Sequence, residues 1–420
     1  MRILEADEKT FNEYVKRSPK PHFMQTSAWG EVNRKRNAVP RLFLLEDEGI
    51  YKGSALLLEK KIGPYRTYYC PRGFITDYDD RDTLKQFITL LKDYVRSHNG
   101  LYLKVDPDVL LHRLNDRGEV IESFENNGEL IKIFTECGGR HKGFTTKFTE
   151  TAAPRFTFRV DVDKDDDTLL SSFHSTTRNI LKRNNPYHLH FAKGGFEDIP
   201  DFYQTMKETS LRKKMYIEPL SFFEDFYSVL HEYDMSDVYT VYALKSELVE
   251  LYQKKKEAID NEKETLLSQN TKKAQNKLKD VYDMEKKWEK EYAEIGKIDR
   301  EKIVLSGMIT AKYGDMVWTI HGGNSDDLKF LNANYELYYG IIKDARDSGY
   351  KRVDFFGTEG KVDPSSDIYG IYLFKLRFGG EFDEFIGEFD FITRPLAFSV
   401  IEKLLLWRRK ILIRRSLKNA

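Results

Sequence analysis

Apolar residues recur along this chain with two periods. Arg41-Leu42-Phe43-Leu44-Leu45-Glu46 and Gly53-Ser54-Ala55-Leu56-Leu57-Leu58 are short apolar runs on either side of Asp47-Glu48-Gly49. That pattern predicts two strands joined by a turn. From Thr83 to Ser97 the apolar positions are Leu84, Phe87, Ile88, Leu91 and Val95, which is helical spacing. Leu101-Tyr102-Leu103-Lys104-Val105 predicts another strand, stopped by Asp106-Pro107. Further along, Val304 to Thr310 and Met316 to Ile320 read as paired strands around Tyr313-Gly314-Asp315. A helix from Tyr335 to Ser348 is closed by Gly349, and Val353 to Gly357 is a strand. Elements mixed in this way predict an α/β (α+β) fold. Strand, hairpin and helix recur on both sides of the middle, as a duplicated unit would.

Between these halves the pattern changes. Residues 245–300 contain no proline and one glycine, Gly296. Leu278, Val281, Glu285, Trp288, Tyr292 and Ile295 are spaced as a and d positions of a heptad. Leu244, Leu248 and Leu251 precede them, and the polar run Ser268-Gln269-Asn270-Thr271 lies between. Folding at that run brings Leu251 level with Trp288. The expectation is an antiparallel helical hairpin over 244–301, a coiled coil with an apolar base and a polar tip. Two readings stand for it: a solvated spacer, or an arm for RNA or a partner.

Charge narrows the class. Lys plus Arg and Asp plus Glu are each 68 in 420 residues, so RNA contact requires a local patch rather than a basic protein. Cys70 and Cys137 stand alone, and the nine histidines form no HxxxH or HExxH. That predicts no metal and suits a reducing compartment. Met1-Arg2-Ile3-Leu4-Glu5 has no apolar leader, and no apolar run is long enough to span a bilayer. A cytoplasmic location is expected. The C-terminus is distinct: seven basic and no acidic residues follow from Lys403, interleaved with Leu404 to Trp407 and Ile411 to Ile413. Such a segment reads either as a basic amphipathic helix on an anionic membrane or as a docked terminal helix with a solvated basic face.

Several ordered segments resemble the Fem family of peptidoglycan aminoacyltransferases. They are Phe23-Met24-Gln25-Thr26-Ser27-Ala28-Trp29, Pro71 to Tyr78, Lys104-Val105-Asp106-Pro107-Asp108, Val353 to Thr358, and Tyr369-Gly370-Ile371-Tyr372-Leu373-Phe374-Lys375 followed by Ile386-Gly387-Glu388-Phe389. The helical hairpin lies where FemA-like members carry one. The resemblance implies two domains like GCN5-related acetyltransferases, at 1–153 and at 154–243 with 302–395, with the hairpin at 244–301 and a terminal helix at 396–420. It also implies transfer of glycine, alanine or serine from an aminoacyl-tRNA to a peptidoglycan precursor, with no cofactor.

By the same resemblance Phe374 and Lys375 match the family's catalytic pair, in which the lysine stabilises the tetrahedral intermediate. Asp106 matches an Asp-Pro turn that helps hold the acceptor. From residue type alone Lys375 reads as solvated and Asp106 as a turn initiator. Trp29, Thr358 and Tyr369 fall within the matching segments as substrate-binding candidates. Where FemX-like members carry a phosphate-binding lysine, this chain has Asn33 followed by Arg34, and His321 replaces a binding tyrosine. Near Leu220 the FemX-like arginine is missing. These departures suit a lipid-linked precursor or a partly built bridge. Arg178 begins a basic helix that either meets phosphate or is solvated. The rival classes are a coenzyme A-dependent N-acetyltransferase, for which Gly322-Gly323-Asn324 lacks the phosphate-cradling pattern, and a non-catalytic scaffold.

Overall fold

The computed structural model describes residues 1–122, 127–147, 150–269, 271–360, 362–366 and 368–402. The basic C-terminal segment from Lys403 lies outside the described residues. The first part of the chain forms β1 (Arg2–Glu5), α1 (Glu8–Arg17), α2 (Ser27–Arg34), β2 (Val39–Asp47), β3 (Ile50–Ile62), β4 (Tyr65–Arg72), β5 (Ile75–Thr76), α3 (Arg81–Ser97), β6 (Gly100–Pro107), β7 (Leu110–Leu114), α4 (Gly128–Glu136) and β8 (Gly139–His141). Next come β9 (Phe156–Asp161), α5 (Asp166–Ser172), α6 (Ser175–Asn184), β10 (His190–Gly194), α7 (Ile199–Lys213), α8 (Leu220–His231) and β11 (Val238–Leu244). Helices α9 (Lys245–Ser268) and α10 (Lys272–Gly296) follow, then β12 (Lys302–Tyr313), β13 (Met316–Asn324), α11 (Ala333–Asp347), β14 (Arg352–Thr358), α12 (Tyr369–Leu376), β15 (Glu381–Phe385) and β16 (Phe389–Ile392).

Among the described residues the strands build two eight-stranded sheets. The first has the order β1-β2-β3-β4-β6-β16-β8, with β5 beside β3. The second has the order β10-β11-β12-β13-β14-β9-β15-β7. Strand β7 thus joins the second sheet, and β16 sits between β6 and β8 in the first. Sheet membership crosses residues 153/154 in both directions. The apolar run in β2 is continuous because both of its faces are covered. Leu42 and Leu44 pack with Phe11 and Val15 of α1, whereas Phe43 and Leu45 face Leu84, Phe87 and Leu91 of α3. Phe23, Ala28 and Val32 pack with α7, α8 and Trp318, so α2 bridges the two sheets. No described helix is long and apolar enough to cross a membrane.

Helices α9 and α10 run antiparallel. At their base Leu248, Tyr252 and Ile295 join the core of the second sheet. The hydroxyls of Tyr187 and Tyr252 donate to the Glu291 carboxylate at 3.1 and 2.5 Å. The Lys255 ammonium lies 4.3 Å from the Trp288 ring centroid and 4.4 Å from that of Tyr187. The tip differs from the expectation of a polar end. Ile259, Leu266, Ala274 and Val281 form their own apolar cluster there. The reason is that Tyr252, Ile259 and Leu266 repeat every seven residues and carry the seam on to the connection between the helices.

This distal cluster shares no buried residue with the core beneath it, and Trp288 packs against both. Replacing residues 253–286 with a short Gly-Ser turn is expected to leave a soluble protein with one cooperative thermal transition, followed by circular dichroism. A broad or absent transition would show that the distal seam belongs to the core.

Candidate active site

Helix α12 places Lys375 in the interior, 6 % exposed. Its ammonium donates to the carbonyls of Phe355 at 2.7 Å, Phe356 at 3.1 Å and Gly357 at 2.6 Å. These carbonyls belong to a bulge in β14, where pairing to β9 shifts between Asp354 and Gly357 and Phe356 adopts a φ of 56°. Three acceptors on one nitrogen match the three donors of an ammonium. Burial pushes the Lys375 pKa down to about 8, with the Asp354 carboxylate opposing. Phe374 packs among the rings of Tyr335, Tyr338 and Phe378. Thr358 is buried, and its hydroxyl has no hydrogen-bond partner among the described residues. Tyr369 stacks on Tyr372, with centroids 6.1 Å apart.

Asp354 carries the connection outward. It accepts from the Phe356 N–H at 2.7 Å and from the Thr157 hydroxyl. It also accepts from Arg159 Nε at 2.9 Å. The same guanidinium reaches Asp108 at 3.0 Å through Nη2 and lies 3.8 Å from Asp383 through Nη1. Burial opposes the charge on Arg159, but the three carboxylates outweigh it and hold the guanidinium protonated. Burial likewise raises the Asp108 pKa, while Lys20 and Arg159 overcome it and hold that carboxyl well below the usual carboxylate range.

Asp108 lines a cleft of about 840 Å³. The cleft is walled by Tyr14 and Arg17 of α1, by Lys20, and by the stretch from Phe74 to Asp79. Arg72 lines this cleft and also a second cavity of about 10 Å³. The small cavity is bounded by His22, Arg159, Trp318, Asp354, Phe356 and Gly357. Lys375 therefore stands behind the backbone wall of the small cavity, and Arg72 lines both that cavity and the cleft. Asp106 lies deeper, 3 % exposed. It accepts from the Arg72 N–H and the Tyr69 hydroxyl, both at 2.9 Å. Burial raises its pKa to about 6, with Arg72 opposing.

The other candidates lie apart from this group. Asn33 bonds the Trp29 carbonyl at 2.9 Å within α2, and Trp29 packs on Phe23 and Phe226. Arg34 pairs with Glu31. His321 is surrounded by Phe222, Phe223 and Phe226, and burial lowers its pKa to about 4. Arg178 donates to the Ser171 and Phe173 carbonyls. Gly322 and Gly323 lie in β13, and a Cβ on Gly323 would come within 2.5 Å of the α7 backbone at Met206. These glycines serve close packing and are not part of a phosphate-cradling turn.

Sequence reasoning missed Arg72, Arg159, Asp383, His22 and Lys20, and passed over Asp108 in favour of Asp106. A signal was present. In Arg155-Phe156-Thr157-Phe158-Arg159 the arginines alternate with Phe, as Asp383 does between Phe382 and Glu384-Phe385. Strand alternation places such charges together on one buried face. Arg159→Gln strips Asp354 of its cation and is expected to destabilise the fold by about 3–5 kcal/mol in urea unfolding at neutral pH. Arg159→Lys should restore only part, because one ammonium lacks the planar fork. A shift below about 1 kcal/mol would contradict the shared-guanidinium account.

The FemAB family model matches residues 6–405. Lipid II:glycine glycyltransferases from Staphylococcus epidermidis and Staphylococcus aureus are similar to this chain. The first is 29 % identical over 415 residues and the second 28 % over 432, each match covering 97 % of both proteins. The crystal structure of FemX superposes with a TM-score of 0.76 at 26 % identity, over 96 % of this chain and 100 % of that one. With the match running through both sheets and the helical hairpin, this chain belongs to the FemAB family.

Proposed function

We propose that this protein transfers glycine from a charged tRNA to an amine on the stem peptide, or on the growing bridge, of a lipid-linked peptidoglycan precursor. The reading is carried by the end-to-end match to relatives named lipid II:glycine glycyltransferase. The charged tRNA donor rests on the Fem resemblance and places the reaction at the cytoplasmic face of the membrane. The acceptor amine attacks the aminoacyl ester carbon. A C–N bond forms, the ester C–O bond breaks, the amine loses a proton and the departing tRNA hydroxyl gains one.

Each polar group has a part in this scheme. Asp108, ionised and open to the cleft, accepts a hydrogen bond from the attacking amine and orients it. Its depressed pKa makes it a weak proton store, so the proton passes on to solvent. Asp106 holds the Arg72 backbone and Tyr69 in place behind it. Lys375 supplies positive charge from behind the β14 backbone as negative charge develops on the carbonyl oxygen. The amine must be neutral and Lys375 charged, so the rate is expected to rise with pH and fall again above about 8, where Lys375 loses its proton.

Lys375→Met should lower single-turnover transfer from charged tRNA roughly 100- to 1000-fold, with much less change in acceptor affinity. Lys375→Arg should retain part of the rate and lack the descending limb near pH 8. Turnover of Lys375→Met near the wild-type rate would sink the assignment.

The acceptor's lipid anchor implies work at a membrane surface. In the described part of the terminal helix Leu396 is 88 % and Val400 59 % exposed, and the seven cations from Lys403 onward follow in sequence. Each cation near an anionic surface contributes about 1 kcal/mol. Deleting residues 405–420 should weaken sedimentation with anionic vesicles and leave neutral vesicles unaffected. Equal binding by both forms would remove the membrane contact from the proposal.

A further inference from the structure

Four arginines meet near the junction of the sheets, and one differs from the rest. Arg155 pairs with Glu384, Arg113 with Glu381 and Asp383, and Arg159 with Asp108 and Asp354. Arg72 is 5 % exposed, yet no carboxylate among the described residues lies within ion-pair distance of it. Its guanidinium donates from Nη2 to the Pro154 carbonyl at 2.7 Å and lies over the Phe385 ring at 4.3 Å. A guanidinium has five donors, so most of this one is uncommitted. Its charge favours the ionised forms of Asp106 and Asp108 from beyond ion-pair distance, and its side chain lines both the cleft and the small cavity.

A second donor stands across the small cavity. His22 is 2 % exposed and lines it. The His22 Nδ1 accepts the Met24 N–H at 3.0 Å, so in the neutral ring the proton sits on Nε2. Burial keeps the ring neutral, with a pKa pushed down to about 3. Its remaining nitrogen is therefore a donor. At about 10 Å³ the space between His22 and Arg72 suits roughly one oxygen-sized atom.

We propose that Arg72 and His22 form an anion subsite at the inner end of the cleft, filled by the C-terminal carboxylate of the acceptor's stem peptide. This rests on the function proposed above and adds to it a determinant of which peptide is accepted. A carboxylate can place one oxygen in the small cavity beside His22 and turn its other oxygen to the Arg72 fork, the planar geometry that guanidinium matches. A phosphate group fits less well. It is bulkier than the cavity. With the carboxylate seated, the amine of a side chain further up the stem extends toward Asp108.

The test compares binding of a soluble stem peptide with a free C-terminal carboxylate against the same peptide ending in an amide, by titration calorimetry with the full-length protein. Wild type should bind the acid roughly 10- to 100-fold more tightly. Arg72→Gln should abolish that preference, and Arg72→Lys should keep part of it while holding the cation should Arg72→Gln fold poorly. Equal affinity of wild type for acid and amide would overturn the subsite, as would an undiminished preference in Arg72→Gln. If inorganic phosphate displaces the peptide from wild type but not from Arg72→Gln, while acid and amide bind alike, the subsite takes phosphate and the carboxylate assignment falls. The acid-to-amide ratio is read without tRNA. Failure of transfer to any acceptor would therefore sink the proposed function while leaving this result legible.

Discussion

The arrangement depends first on how the guanidinium of Arg159 is shared. It lies in β9 of the second sheet, between β14 and β15, and its carboxylate partners come from three places: Asp354 on β14, Asp383 on β15 and Asp108 on the turn leaving the first sheet. Buried ion pairs add little net stability over well-packed apolar residues. What this one contributes is direction. A planar fork with donors along fixed axes sets the angle at which the β6–β7 turn meets the second sheet, and so sets where Asp108 faces the cleft. Moving the guanidinium would move all three carboxylates.

Lys375 is tied to the same group through Asp354. The carboxylate that receives Arg159 Nε also receives the Phe356 N–H, and the carbonyls beside that N–H receive the Lys375 ammonium. The bulge in β14 is thus held from both sides by charge. Its backbone forms the wall of the small cavity, so a positive group stands one peptide away from a space of about one atom's size. Lys375 keeps its proton at neutral pH because the Asp354 carboxylate partly offsets the burial that penalises the charged form.

Much of the fold could be read from the chain because its elements follow local rules. The Asp47-Glu48-Gly49 turn separates runs that do become β2 and β3, and the Leu84 to Val95 spacing does become α3. Gly349 takes a φ of 84° beyond the end of α11, as a helix-closing glycine does. The candidate site was only partly legible. Lys375 was found by resemblance, but its burial against a bulge has no local signature, since a register shift depends on two strands that lie far apart in sequence. Asp106 and Asp108 could not be ranked from Asp-Pro-Asp, because β6 ends at Pro107, so Asp106 is held in the sheet against the Arg72 N–H while Asp108 lies past it beside the cleft. Asn33, Arg34 and Arg178 are held by near neighbours in sequence, whereas His321 sits among rings of α8 that only packing brings to it.

The exchange of β7 and β16 between the sheets sets a schedule for the birth of the protein. Strand β8 pairs only through β16 in its sheet path, and β16 ends at Ile392. The first 153 residues therefore make a sheet with a missing rung, and β7 gains its ladder partner β15 only near the end of translation. On this topology neither sheet has all its described strands until the last of them are made, which opposes domain-by-domain folding during synthesis. Its final architecture snaps together late, with an unfinished sheet edge waiting through most of elongation, where a chaperone would find it.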